Sequence, residues 1–393
     1  TSHNKMKIFV FYPDTYLRCC NGTTLFVGLH NGNYILERTN SLAIEEKHPW
    51  FEITNDSLLL AERCSSKGLG YILEYTTLPY IPQKTLHVIS SVKRTSELMK
   101  FAEGYHSKDL LREIHILAHN TTYQAPSDIV YSQIKYPVLG ESADLPQRFV
   151  NDLVKSHIRS IIISGDIDSY LTSCLNPFVE SDKNITIRTH GVYKNLTNAM
   201  ALLSDFPNVT IEILLDSIEL LPNMKHIVKE KWVDRILVSF IVKDTYELNK
   251  FIQFPCKSKF FIPILYDIKL QQSIVNEILL EADDIIGTSC SPMEISKKQM
   301  IHTNNYGSLL IDSNGNVFDC LRFIGSIYKE DIYELLNKNL HNPDSLWYMT
   351  RRKRKVCCNC VFADICPPPS VYELQGVIPY ACNNTFLESI SRL

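Results

Sequence analysis

The sequence predicts an α/β protein with a small β-rich module in front and a cysteine-rich unit behind, on three observations. Between residues 110 and 285, six apolar, β-branched runs alternate with helix-length segments. Residues 6–80 begin as short alternating runs broken by turn dipeptides. From residue 286 to 393 the rhythm breaks into a hairpin, a helix and six crowded cysteines. A chain of 393 residues has room for two or three units, since packed domains usually run about 100–200 residues. Its 45% hydrophobic content describes a folded protein rather than a disordered or fibrous one.

In the first module the runs Lys7 to Tyr12, Thr15 to Cys20, Thr24 to Leu29 and Asn33 to Glu37 read as hairpin strands. The Asn21-Gly22 and Asn31-Gly32 pairs supply positive-φ turns. Asn40 to Lys47 and Asp56 to Cys64 open on polar residues and read as short helices. A small sheet followed by helices is a winged-helix-like plan.

The second region carries Glu113 to Ala118, Arg159 to Ser164, Asn184 to Thr189, Val209 to Leu215, Arg235 to Ile241 and Lys259 to Leu265. Runs apolar on both faces, joined by helix-length crossovers, indicate parallel strands covered on both sides. An open doubly wound sheet and a partial barrel both satisfy this pattern. In the third region, Ser308 to Asp312 and Asn316 to Phe318 flank the turn Ser313-Asn314-Gly315. Pro367-Pro368-Pro369 cannot continue a helix and implies a rigid extended turn.

A formal charge of −3 argues against a general nucleic-acid binder, which needs a basic excess to neutralise phosphates. The basic run Arg351-Arg352-Lys353-Arg354-Lys355 reads as a solvated helix end or a docking patch for an acidic or redox partner. No stretch of about 20 apolar residues and no signal-peptide pattern is present, so the expected location is the cytoplasm and no membrane partner is expected. GxSxG, HExxH and phosphate-cradling glycine motifs are missing.

Twelve cysteines in a reducing compartment bind metal more readily than they form disulfides when they cluster at short spacing. Cys19, Cys20, Cys64, Cys174, Cys256 and Cys290 are scattered and read as small buried hydrophobes. Cys357-x2-Cys360-x5-Cys366 with the later Cys382 offers four thiolates, which suit zinc or an iron–sulfur cluster and exclude hard cations such as calcium. Spacing alone leaves zinc and iron–sulfur open. Cys358 lacks a partner at the two-residue spacing and is expected to be a buried or neighbouring thiol rather than a ligand.

These residues resemble the SPASM auxiliary-cluster domain of radical-SAM peptide-modifying enzymes. The likeness lies in Leu310-Ile-Asp-Ser-Asn-Gly-Asn-Val-Phe-Asp-Cys320, then Gly325-Ser326-Ile327, the CxxCx5C run and Cys382. The resemblance implies that Cys357, Cys360, Cys366 and Cys382 hold one outer 4Fe–4S cluster. An inner cluster would need two cysteines before Gly315 and one at position 370, which is serine, and residues 291–314 contain none. Cys320 would have His302 or Cys290 at most for company, and His302 is expected to be a structural histidine.

The catalytic CxxxCxxC of radical-SAM enzymes is missing, since no cysteine lies between Cys64 and Cys174 and the corresponding loop spans His119 to Pro137. At the second strand end, Ser164-Gly165-Asp166-Ile167-Asp168 keeps one glycine and a shifted acid where those enzymes bind the amino group of S-adenosylmethionine. Asp166 reads as a turn or cap residue. Together with Gln133-Ile-Lys-Tyr-Pro137, Ile161-Ile-Ile-Ser-Gly165, Trp347 with Arg351, and Cys366-Pro-Pro-Pro-Ser-Val-Tyr-Glu373, the chain resembles pseudo-radical-SAM proteins of Bacteroidales-type peptide-maturation systems.

The resemblance implies a partial (β/α)6 radical-SAM-like barrel and no S-adenosylmethionine cluster. It further implies a non-catalytic iron–sulfur partner in ribosomal-peptide maturation, binding precursor peptide, a true radical-SAM maturase, or both. An electron-transfer component and an α/β binding protein with a structural zinc are the alternatives. Any barrel pocket would lie at the strand ends, near Ala118 to Asn120, Gly165 to Asp168, His190 and Asp216.

Overall fold

A computed structural model describes residues 6–39, 42, 44–46, 48–75, 110–117, 145–178, 181–227, 233–263, 279–288, 290–374, 376 and 382. The centre is one nine-stranded sheet, in the order β12-β11-β10-β9-β8-β7-β13-β14-β15. Its strands are β7 (Glu113–Ile116), β8 (Ser160–Ser164), β9 (Asn184–His190), β10 (Val209–Leu215), β11 (Ile236–Val242), β12 (Lys259–Pro263), β13 (Ser308–Ile311), β14 (Asn316–Phe318) and β15 (Phe323–Ser326). The pairs from β12 to β13 are parallel and the last two antiparallel. The protein is therefore α/β, with strands close to where the apolar runs place them.

One face of the sheet packs on helices. Ile114, Ile161, Ile163, Ile187, Ile211, Ile213, Val238 and Phe240 share a core with residues of α2 (Gln147–Lys155), α4 (Tyr193–Asp205) and α6 (Thr245–Gln253). Alternate residues point to opposite faces of a strand, so Glu113, His115, Ser164, Arg188, His190, Glu212 and Ser239 line the other face. The sequence pattern suggested strands apolar on both sides; the structure shows one uniformly apolar side and one on which Ile162, Leu214 and Ile241 sit among these polar, largely buried residues. Of the remaining helices in this region, α3 spans Ser169–Leu175 and α5 Leu221–Ile227.

The C-terminal hairpin does not form a sheet of its own. β13 pairs in parallel with β7, Ser308 opposite Glu113 and Leu310 opposite His115. Gly307, with φ of +76°, makes the join: its carbonyl accepts from Arg112 and Glu113, and a side chain there would meet the Leu110 carbonyl at 2.2 Å.

The N-terminal module holds two three-stranded sheets. β1 (Met6–Phe11) lies between β5 (Trp50–Glu52) and β6 (Gly70–Tyr75), and β2 (Thr15–Cys20), β3 (Thr23–Gly28) and β4 (Tyr34–Arg38) form a meander. Asn21 and Gly22 both take positive φ, the two-residue turn that matches strand twist. Every residue of β3 is buried, because the meander is a middle layer. Leu17, Phe26 and Ile35 face β1, β5 and helix α1 (Leu58–Ser66), with Phe11 and Phe26 rings 5.7 Å apart. Tyr16, Leu25 and Val27 face the cysteine-rich segment.

The helix expected at Asp56 to Cys64 is α1, shifted by two residues. The one expected at Asn40 to Lys47 is not seen among its described residues: Leu42 lies in a bend, Glu46 in a turn, and Ile44 and Glu45 have no regular structure. Tertiary contacts override local propensity there. Leu42 and Ile44 pack on the aromatic core and Glu46 accepts from the Cys19 backbone at 2.6 Å.

Candidate metal centre

The cysteine segment is a succession of tight turns. Cys357 and Cys358 N–H groups donate to the Arg354 carbonyl at 3.0 and 2.8 Å, Cys360 to Cys357 at 3.0 Å, and Cys366 to Phe362 at 2.8 Å. Such turns bring residues 357, 360 and 366 to one side. Cys382 arrives separately, through a backbone bridge to Leu280 ahead of α7 (Ala282–Gly287). Cys357, Cys366 and Cys382 are buried, and Cys360 is partly so.

The four sulfurs lie within electrostatic reach of one another. Burial above all, with Cys360 and Cys357 adding to it, pushes the Cys366 and Cys382 thiols up to about 12; Cys360 is raised by burial and by Cys357. Metal-free, the raised thiols of Cys360, Cys366 and Cys382 are held protonated; a thiophilic metal binds such groups by displacing the protons. Among the described residues no group of three or more His, Cys, Asp or Glu is drawn together closely enough to grip a metal ion, so the thiols converge without closing. The donor set fits zinc or iron–sulfur chemistry. No cysteine is in a disulfide.

Two buried ion pairs fix this segment. Asp364, fully buried, accepts from Tyr16 Oη at 3.0 Å, Arg18 Nη1 at 2.8 Å, Arg352 Nε at 2.6 Å and Gln299 Nε2 at 3.2 Å. Burial pushes the Asp364 carboxyl up, but Arg352 and Arg18 together outweigh it and hold it below the usual carboxylate range. Asp364 thus ties β2 to the cysteine turns. Arg351 is 3% exposed; it donates to both Glu373 oxygens, to the Pro367 carbonyl at 2.6 Å, and towards Cys357 Sγ at 3.7 Å. The basic run is therefore no solvated helix end. Arg351 and Arg352 turn inward because two buried acids, Glu373 and Asp364, wait for them.

Cys358, expected as a buried or a neighbouring thiol, is half-buried with its sulfur towards the Lys355 carbonyl, and Cys357 is the buried member of the pair. His302 is buried, with Nε2 against the Pro369 carbonyl at 2.8 Å and Nδ1 accepting from the Asn305 N–H at 3.3 Å. Burial lowers its pKa, and it is a structural histidine. Cys320 occupies a positive-φ turn position.

Sequence reasoning missed Cys20 and Cys290. Cys290 shares the apolar cluster of Cys366 and Cys382, with Lys298 Nζ at 3.0 Å from its sulfur, and Cys20 lies within electrostatic reach of Cys360. No local spacing links them to the cluster, so only the fold brings them there.

At the sheet's strand ends, Asp168 caps α3 by accepting from the Leu171 N–H at 3.0 Å, and Asp166 accepts from Asn195 Nδ2 at 2.9 Å. His190 pairs with Asp216 at 3.0 Å. The loop His119 to Pro137, with Ala118 to Asn120, lies outside the described residues. No helix among the described residues is long and apolar enough to cross a membrane. Comparison with protein-family models gives no match, and none of the curated proteins is significantly similar to the chain.

Proposed function

We propose that this chain is a non-catalytic partner in the maturation of a ribosomally made peptide, with one 4Fe–4S cluster held by Cys357, Cys360, Cys366 and Cys382. The supporting observation is the approach of four thiols, three buried and one partly so, from two separate chain segments beneath the β2–β4 meander. When bound, such a cluster supplies one-electron transfer. The chain's own residues supply the rest: Arg351 places a buried cation beside Cys357, and the meander excludes water.

Four thiolates leave no position open for substrate, which supports a relay or scaffold role over catalysis. The same four thiols would suit a structural zinc. Iron, sulfide and zinc content with a visible spectrum, on protein purified anaerobically beside a Cys357→Ala, Cys360→Ala double variant, decides between them. About four irons and four sulfides per chain, lost in the variant, are expected. Zinc without iron would reduce the segment to a structural staple and remove the redox role.

The edge strand β6 is the surface that suits a precursor peptide by strand addition. Among the described residues it pairs with β1 alone, and it exposes Tyr71 and Ile72. Removing the whole module would strip the cover from the cysteines, so the informative variant is local. Ile72→Pro should weaken binding of a labelled precursor at least tenfold while iron content is unchanged; equal affinity would sink the peptide-binding reading.

A further inference from the structure

The face of the sheet turned away from the helices carries polar and charged side chains where a barrel interior is ordinarily filled by Val, Ile and Leu. Most are paired. Glu113 meets His115 at 2.7 Å; Glu212 accepts from Arg188 Nε at 2.9 Å and from Ser239 Oγ at 2.6 Å. Two groups are not. Ser164 Oγ and Arg188 Nη1 are buried and make no hydrogen bond, although Ser164 is fully buried and Arg188 is 5% exposed. A buried polar group without a partner costs about 1–3 kcal/mol, so two side by side need a reason.

They are neighbours. Ser164 on β8 stands directly opposite Arg188 on β9 in the parallel register, and both side chains leave the sheet on the same face. Glu212 takes Nε and, being anchored itself by Ser239, fixes the plane of the guanidinium. The Nη1 donor is then held in place with nothing to receive it. A hydroxyl and a pre-oriented guanidinium donor on adjacent strands are complementary to a group with two acceptor oxygens. A carboxylate suits best, since a charge-assisted bond from arginine is about twice as strong as a neutral one.

We propose that Ser164 and Arg188 form a binding site for a carboxylate, carried by a small organic acid or by the C terminus of a peptide. It stands independently of any metal at the cysteines. Glu212 and Ser239 are positioning residues, and the orphaned donors are the stability cost of keeping the site ready.

The test is thermal unfolding of the full chain in sodium acetate against sodium chloride at equal ionic strength. Acetate should raise the midpoint, by about 2 °C at ten times its dissociation constant and thereafter with the logarithm of its concentration. Ser164→Ala should lose that increment, while without acetate it should melt no lower than the natural protein, because it removes an unsatisfied hydroxyl. Ser239→Ala, which frees the Glu212 anchor, should melt lower and shift less in acetate.

Two short peptides of one sequence, with free and amidated C termini, separate the ligand sources. A free-terminus peptide that gives the shift at lower concentration than acetate assigns a peptide end, and one that needs as much or more assigns a small acid. No acetate-specific shift, or the same shift in Ser164→Ala, overturns the proposal. A Ser164→Ala protein that melts lower without acetate also overturns it, since the hydroxyl is then satisfied by ordered water only.

Discussion

Asp364→Asn is the substitution whose consequence the structure defines most closely. It keeps the shape of a fully buried side chain, removes its charge, and turns two acceptors into one acceptor and one donor. Of the two guanidiniums that lean on Asp364, Arg352 is 24% exposed and can turn to water, whereas Arg18 is 6% exposed and cannot. The loss is therefore dominated by one stranded buried cation, about 3–5 kcal/mol, a large share of the 5–15 kcal/mol that typically holds a protein together.

Arg18→Met should cost a similar amount by stranding the carboxylate, although Arg352 retains part of the pairing. The double variant should cost less than the two singles combined, with a coupling of about 2–3 kcal/mol. Urea unfolding followed by fluorescence of the buried Trp347 gives the numbers. The native Asp364 carboxyl titrates below its unfolded value of about 3.9, so its stabilisation is complete above that pH and is lost as pH falls through the native value. Asp364→Asn should accordingly flatten the acid limb of stability. A single-variant cost under about 1 kcal/mol, or simple additivity, would refute the latch between β2 and the cysteine turns.

Three further outcomes are expected. The His302 pKa lies below its unfolded value of about 6.5, so its contribution is intact above that pH and declines as pH falls below it. Urea midpoints at pH 8 and pH 5.5 should differ less in His302→Gln than in the natural protein. Gly307→Ala forces a side chain against the Leu110 carbonyl at positive φ; a loss of about 2–4 kcal/mol is expected, and a neutral result would mean that β13 does not join β7 as described. In metal-free protein at pH 8, thiols raised to about 12 leave roughly one thiolate in ten thousand. Mass-mapped iodoacetamide labelling should therefore reach Cys358 long before Cys366 or Cys382, and equal rates would contradict the burial.

Much of the secondary structure was legible because its signals are local. A β-branched run between helix-length segments is a strand wherever it folds, and the Asn21-Gly22 turn follows from positive φ at both positions. The Asn40 to Lys47 helix is not seen among its described residues for the opposite reason: Glu46 is drawn to the backbone of Cys19, 27 residues earlier, beyond the reach of propensity. The cysteine spacing singled out residues 357, 360 and 366, which the tight turns of that segment place near one another, whereas Cys382 reaches them only through its bridge to Leu280.

The basic run shows where local reading ends. Five consecutive cations look solvated until Asp364 and Glu373 appear beneath two of them, and that pairing is set by how the meander and the proline turn close over the segment.

By itself, then, the sequence determined the α/β class and the strand positions, because periodicity is a property of neighbouring residues. Only the tertiary structure decided that the C-terminal hairpin extends the central sheet and that the N-terminal meander covers the cysteines. It alone also set Ser164 beside Arg188. Those arrangements depend on register and on buried charge pairs between segments up to 346 residues apart, and no window along the chain contains both partners.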